Sequence, residues 1–152
     1  MFRGVNTLSL DVKGRMAIPT KYRERLQAIS DGSMVMTIDV QDPCLLLYPI
    51  PEWEEIERKL SKLQTLDKRA RRLQRLLIGH ATECDLDSHG RILVPPLLRE
   101  YAGLEKRAAF VGQCARFEIW NEDKWNERRQ SWLGEETDDD LDLSPELQAL
   151  TL

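Results

Sequence analysis

An internal repeat constrains this chain more than any other feature of its sequence. The segment LDVKGRMAIPTKYRERL begins at Leu10, and the segment LDSHGRILVPPLLREYA begins at Leu86, 76 residues later. The identical positions pair Asp11 with Asp87, Gly14 with Gly90, Arg15 with Arg91, Pro19 with Pro95, Arg23 with Arg99 and Glu24 with Glu100. They fall at turn, strand and helix positions, as expected of a duplicated supersecondary unit. We therefore expect two copies of one unit.

Each copy is predicted to fold as two short strands, a helix, two more strands and a second helix, in the order ββαββα. In the first copy, the turn Asp11–Arg15 combines an aspartate that can hydrogen-bond back to the backbone with Gly14, which can take a positive φ. The first helix opens at Pro19 and ends near Gly32. The fold class is therefore α+β, with each turn closing a local hairpin.

A long basic and amphipathic segment separates the two copies. It runs from Pro51 to about Ile78, with a break expected between Thr65 and Asp67. Apolar residues recur along it at helical spacing, at Leu60, Leu63, Leu66, Ala70, Leu73 and Leu77. We interpret it as core-facing helix with a solvated basic side; the alternative is that the basic side contacts phosphate or another subunit.

The charge of the chain is unevenly distributed. The 152 residues carry a net charge of −4, yet residues 134–152 hold seven acids and no base, which leaves the rest of the chain mildly basic. Such an acidic tail either keeps the protein in solution or competes with a polyanion for the basic surface. A chain of this length fits one domain, or two small ones that share a core.

Several classes of protein are not expected from this sequence. No apolar run reaches the length of a membrane helix, and the N-terminus lacks the apolar core of a signal peptide, which predicts a cytosolic protein. Cys44, Cys84 and Cys114 lie far apart and are interpreted as core thiols. The ligand-type residues between Glu83 and His89 alternate along a strand and turn, with no second cluster to complete a site. We therefore expect no enzyme, no metal and no cofactor.

The paired Asp-x-x-Gly-Arg turns identify a resemblance to a known family. Together with the opening MFRG and the segments CLLLYPIPEWE and RLLIGHA, the turns DVKGR and DSHGR resemble the MraZ family. The resemblance implies two AbrB-like (SpoVT-AbrB) swapped-hairpin units that form a double-psi, barrel-like core with peripheral helices. It also implies a transcriptional regulator, usually a repressor of its own operon in the division and cell-wall gene cluster.

The same resemblance implies partners and a location. Members of the family form homo-oligomeric rings of eight to twelve subunits and bind short direct repeats in double-stranded DNA near the promoter, which places them in the cytoplasm at the nucleoid. Repetition of a small contact across an oligomer raises affinity when the DNA repeats match the spacing of the subunits. The alternative function is a protein-interaction scaffold or antitoxin-like partner.

The residues predicted to contact DNA lie in the two turns. An arginine at a hairpin tip can donate two hydrogen bonds to guanine O6 and N7 in the major groove, which favours Arg15 and Arg91 as base-reading residues. The alternative for both is a structural salt bridge with a nearby acid. Lys13 is predicted to contact phosphate or a base beside Arg15; His89 replaces it in the second copy, so that base reading there is expected to weaken or to vary with pH.

The remaining site residues are predicted to form the turns themselves. These are Asp11, Gly14, Asp87 and Gly90. We divide the chain into a first DNA-binding repeat (residues 1–53), a helical connection packed on the core (54–80), a second DNA-binding repeat (81–133) and the acidic tail (134–152).

Overall fold

A computed structural model describes residues 1–135 and 144–150 of the chain. The first copy comprises β1 (Phe2–Ser9), β2 (Arg15–Ala17), α1 (Thr20–Ser30), β3 (Ser33–Ile38), β4 (Leu45–Pro49) and α2 (Ile50–Ser61), followed by α3 (Lys68–Leu77). The second copy comprises β5 (Thr82–Asp85), β6 (Arg91–Leu93), α4 (Pro96–Tyr101), β7 (Arg107–Cys114), β8 (Arg116–Asn121) and α5 (Glu122–Gly134). The α+β class and the ββαββα order of both copies are confirmed.

The predicted tail is described only in part. A short helix, α6 (Pro145–Ala149), follows α5, while residues 136–143 and 151–152 of the predicted tail lie outside the described part of the chain. Over the described residues, no helix combines the length and apolar character needed to cross a membrane.

The two copies build one sheet together. Six antiparallel strands lie in the order β1-β7-β8-β4-β3-β5, so that the hairpin of each copy lies between strands of the other copy. The two hairpins predicted within the copies, β3 with β4 and β7 with β8, lie at the centre of this sheet.

The prediction that each turn closes a hairpin between its own flanking strands is wrong. Apart from one bridge between Leu10 and Met16, β2 pairs with β6 of the other copy, and β1 pairs with β7. Met16 and Ile92 are directly opposite each other in the β2–β6 ribbon and both are buried. The exchange therefore completes a shared core, and it agrees with the swapped-hairpin fold that the resemblance implies.

Aromatic residues from both copies fill the centre of that core. Phe2 and Phe110 lie on either side of Phe117, with ring centroids 4.3 and 4.4 Å from it, and Tyr22 of α1 meets it edge-on at 5.0 Å. The opposite face of the sheet is covered by α2 through Trp53 and by α5, whose partly buried Trp125 packs on Trp120. The ribbon, α1 and α4 therefore occupy one face of the sheet, and α2 and α5 the other.

The connecting segment differs from the predicted continuous stripe. The break is confirmed, since α2 ends at Ser61 and α3 begins after Asp67, whose carboxylate accepts hydrogen bonds from the backbone N–H groups of Arg69 and Ala70. Leu66 falls in this break and is 95% exposed, so the apolar stripe does not run on through it. Helix α3 has no fully buried residue, because it lies half-exposed against the sheet.

Two of the three cysteines are core thiols as predicted. Cys44 and Cys84 are buried and unpaired, and burial raises the pKa of Cys84 to about 12. Cys114 is exposed, which contradicts the prediction. It ends β7 with φ at +61°, in the tight connection to β8, where its side chain cannot reach the core.

Candidate nucleic-acid interface

The β2–β6 ribbon brings the two predicted arginines onto one surface. Arg15 is opposite Leu93, and Arg91 is opposite Ala17. Since successive strand residues face opposite sides, the burial of Met16 at the centre of the ribbon turns both arginines outward. The sequence placed them on two separate hairpin tips, whereas the structure places them at the two ends of one short ribbon.

Strand geometry fixes the spacing of these arginines. They are offset by two residues along paired strands, and a rise of about 3.4 Å per residue with strands about 4.8 Å apart puts their α-carbons about 8 Å from each other. A two-stranded ribbon is one of the elements that the major groove of DNA admits. The outward face of the ribbon thus has a width and a composition suited to that groove.

Each arginine is held by the aspartate of its own turn. The carboxylate of Asp11 accepts hydrogen bonds from the backbone N–H groups of Lys13 at 3.0 Å and Arg15 at 2.9 Å, and its second oxygen accepts one from Arg15 Nε at 2.7 Å. The backbone hydrogen bond from Arg15 is the largest cause that lowers the pKa of Asp11 to about 2. The carboxylate therefore stays ionised at any physiological pH.

The second turn repeats this arrangement. Asp87 accepts from the backbone N–H groups of His89 and Arg91, both at 2.8 Å, and from Arg91 Nε at 2.9 Å. The backbone hydrogen bond from Arg91 is again the first cause of a lowered pKa, here of Asp87. Two turns 76 residues apart therefore have the same hydrogen-bonding geometry, despite the replacement of Lys13 by His89.

The salt bridge leaves the terminal nitrogens of each guanidinium available. In both turns the aspartate engages Nε, and within the described residues Nη1 and Nη2 have no partner. The side chains of Arg15 and Arg91 are about one-third exposed, at 33% and 31%. The structural salt bridge and a base-reading role are therefore compatible, because they use different atoms of the same guanidinium.

The turns also expose residues to either side of the arginines. Lys13 and His89 are exposed, and His89 Nδ1 lies 3.3 Å from the hydroxyl of Ser88. Val12 is 98% exposed at the first turn. Val12 was not considered in the sequence analysis, although an apolar residue within a surface turn is expected to be exposed.

The glycines of the turns are constrained by the opposite copy. Gly14 has φ at +85° and Gly90 at +73°, a region in which other residues are strained. The space beside each is occupied by an arginine of the other copy, Arg99 beside Gly14 and Arg23 beside Gly90. Sequence reasoning gave neither arginine a role; their identity in the repeat alignment was the available indication.

A separate cluster of ligand-type side chains lies away from the ribbon. Potential ligand atoms of Asp39, Cys44 and Glu118 lie within 4.8 Å of one another. The Cys44 thiol donates to Asp39, and Trp120 Nε1 donates to Glu118 at 2.9 Å. Burial, with Glu118 as the next cause, raises the pKa of Cys44 far above its ordinary range, so the thiol is protonated. Each of the three side chains thus takes part in a hydrogen bond, Cys44 and Asp39 with each other and Glu118 with Trp120.

Comparison with known proteins places both copies in one family. The family model described as "MraZ protein, putative antitoxin-like" matches residues 1–76 and again residues 77–140. A protein of Halorhodospira halophila named transcriptional regulator MraZ is 56% identical over 152 residues, with all of both chains covered. The protein of the same name from Coxiella burnetii is 52% identical, with all of both chains covered. The one from Methylococcus capsulatus is 55% identical, with 99% of both chains covered.

Proposed function

Because the chain belongs to the MraZ family, we propose that it is a sequence-specific DNA-binding transcriptional regulator that represses its own operon in the division and cell-wall gene cluster. The observation that carries this proposal is the outward face of the β2–β6 ribbon, where the strand register brings Arg15 and Arg91 together; general strand geometry puts their α-carbons about 8 Å apart. Promoter-proximal direct repeats in double-stranded DNA are its proposed target.

The proposed mechanism is direct reading of bases in the major groove. The Nη1 and Nη2 groups of Arg15 and Arg91 donate to guanine O6 and N7, each pair contributing about 1 to 3 kcal/mol of discrimination. Asp11 and Asp87 fix the orientation of each fork through Nε before DNA is bound. The exposed Lys13 contacts phosphate or a base edge beside the first turn.

Affinity in this proposal comes from assembly. One ribbon offers a small contact, and a ring of eight to twelve subunits makes each later contact intramolecular. Within the described residues, β1 and β5 are the edges of the sheet, each with a single strand partner. Light scattering should give several times the 17.7 kDa subunit mass at micromolar concentration; a monomer would contradict the assembly.

A mobility shift with the promoter-proximal region of its own operon tests the function, with a scrambled fragment as competitor. Arg15→Ala should remove most of the preference for the repeat fragment. Lys13→Ala should lower affinity for both fragments alike and flatten the salt dependence of binding. Arg129→Ala, which removes an exposed cation from α5, is the matched control.

Two results would contradict the proposal. If Arg15→Ala and Arg91→Ala lower affinity for the repeat fragment and the scrambled fragment equally, the ribbon attracts DNA only through its charge. Equal binding of both fragments by the unmodified protein would favour the alternative, an antitoxin-like protein partner, which the family description mentions. We place the protein in the cytoplasm at the nucleoid, where a regulator of this kind meets its DNA.

A further inference from the structure

Two arginines outside the turns, Arg23 in α1 and Arg99 in α4, lie at equivalent positions of the repeat. We propose that each is a positioning residue that braces the DNA-reading turn of the opposite copy, so that each copy holds the turn of the other in place. This inference rests on the proposed function and adds to it residues that do not read bases themselves.

The first brace joins α4 to the first turn. A β-carbon placed on Gly14 would lie 2.5 Å from Cζ, 2.7 Å from Nε and 2.8 Å from Nη2 of Arg99. The planar guanidinium therefore lies directly against the glycine, and Nη2 is also 3.4 Å from the carbonyl oxygen of Lys13. Since Gly14 precedes Arg15, this contact is one peptide away from the reading residue.

The second brace joins α1 to the second turn. A β-carbon on Gly90 would lie 2.5 Å from Cζ and 2.6 Å from Cδ of Arg23. Arg23 Nε donates to the carbonyl oxygen of Ile18 at 2.5 Å, and the backbone N–H of Ile18 donates to the carbonyl oxygen of Gly90 at 2.9 Å. One short path thus links the helix of one copy to the turn of the other.

Neither arginine is held in place by an acidic side chain. In the described structure, neither forms a salt bridge, and Arg99 Nε is buried without a hydrogen-bond partner. A buried donor left unpaired is costly and calls for a compensating role. The feature common to both side chains is the glycine that each covers. Because a reading group must be held to about 0.5 Å, loss of the brace would misplace the arginine that follows that glycine.

Hydrogen exchange of the DNA-free protein tests the crosswise pattern. Arg99→Ala should speed exchange of the backbone amides of Lys13 to Arg15 by about tenfold and leave those of His89 to Arg91 unchanged; Arg23→Ala should do the reverse. Arg71→Ala, an exposed arginine of α3, should change neither turn. Equal loosening of both turns by either variant, or no change in either, would overturn the proposal.

DNA binding supplies the second readout. Arg99→Ala should lower affinity for the repeat fragment about tenfold, and should add little to the loss in an Arg15→Ala background, because it acts through Arg15. Arg99→Lys keeps the charge without the planar group and should not restore binding. Restoration by lysine would mean that Arg99 contacts phosphate directly and would overturn the brace.

The two proposals fail in different ways. If the unmodified protein binds repeat and scrambled fragments equally, the proposed function fails, and the exchange pattern measured without DNA still decides whether the braces exist. Oligomer mass and circular dichroism of each variant confirm that the fold persists; Arg99→Lys provides a milder change should the alanine variant unfold.

Discussion

The backbone N–H of Val94 donates a hydrogen bond of 2.9 Å to the carbonyl oxygen of Gly14. Val94 belongs to the second copy and Gly14 to the first, and Ile18 donates to Gly90 at the same distance in the reciprocal position. Both glycine carbonyls are therefore anchored across the repeat. The conformation of each turn depends on a residue 80 positions away for Gly14 and 72 positions away for Gly90, as well as on its own aspartate.

Gly14→Ala should destabilise the protein by about 1 to 2 kcal/mol, because alanine is strained at positive φ and its methyl group would displace Arg99. Chemical unfolding measures the loss. Gly134→Ala is the matched control: Gly134 ends α5 with no atom within 4 Å of the added carbon, so stability should hold or rise. An equal effect of both substitutions would argue against the described turn.

His89→Lys should raise affinity for both repeat and scrambled DNA, because it restores at the second turn the fixed charge that Lys13 gives the first. DNA titrations with both fragments measure the effect, with Ser88→Ala as the control at the neighbouring position. A rise confined to the repeat fragment would instead assign this position to base reading.

The Asp11 carboxylate should titrate at about pH 2 in the folded protein. The chemical shift of its carboxyl carbon, recorded against pH, measures this. Its folded pKa is lowered, so the stability that this carboxylate contributes is complete above the unfolded pKa of about 3.9 and is lost as the pH falls toward 2. Turn amides should become less protected over that interval. A midpoint near the unfolded value would mean that the hydrogen bonds from Lys13 and Arg15 are absent in solution.

Deletion of residues 135–152 should raise affinity for scrambled DNA and steepen its salt dependence, while the preference for the repeat fragment stays the same. The deletion removes seven acids, which in this hypothesis compete with phosphate for the basic surface. A tail of the same length with those acids changed to amides should behave like the deletion. No change at low salt would leave the tail a solubility element.

Sequence reasoning succeeded where structure depends on neighbouring residues. The turn at Asp11 and the helix start at Pro19 both follow from residues within four positions. Strand partners could not be obtained this way. Nothing near Met16 specifies Ile92 as its neighbour, because that choice is made by the shape of a core filled from both copies.

The same limit applies to the candidate site and to the connecting segment. Arg15 and Arg91 could be predicted as exposed turn residues, but their common surface follows from the strand exchange. The leucine spacing continues through Leu66, although Asp67 starts a new helix immediately after it. Periodicity alone could not show that the apolar face ends at that break.

The pairing of β1 with a strand of the second copy has a consequence for synthesis. Phe2 leaves the ribosome well before its strand partner, Cys114. Strand β1 therefore cannot pair until β7 has been synthesised, and pairings between distant residues form slowly. Until then the first half exposes unpaired strand edges. Truncation anywhere before β7 should leave a fragment that depends on chaperones or is degraded, rather than a working half-protein.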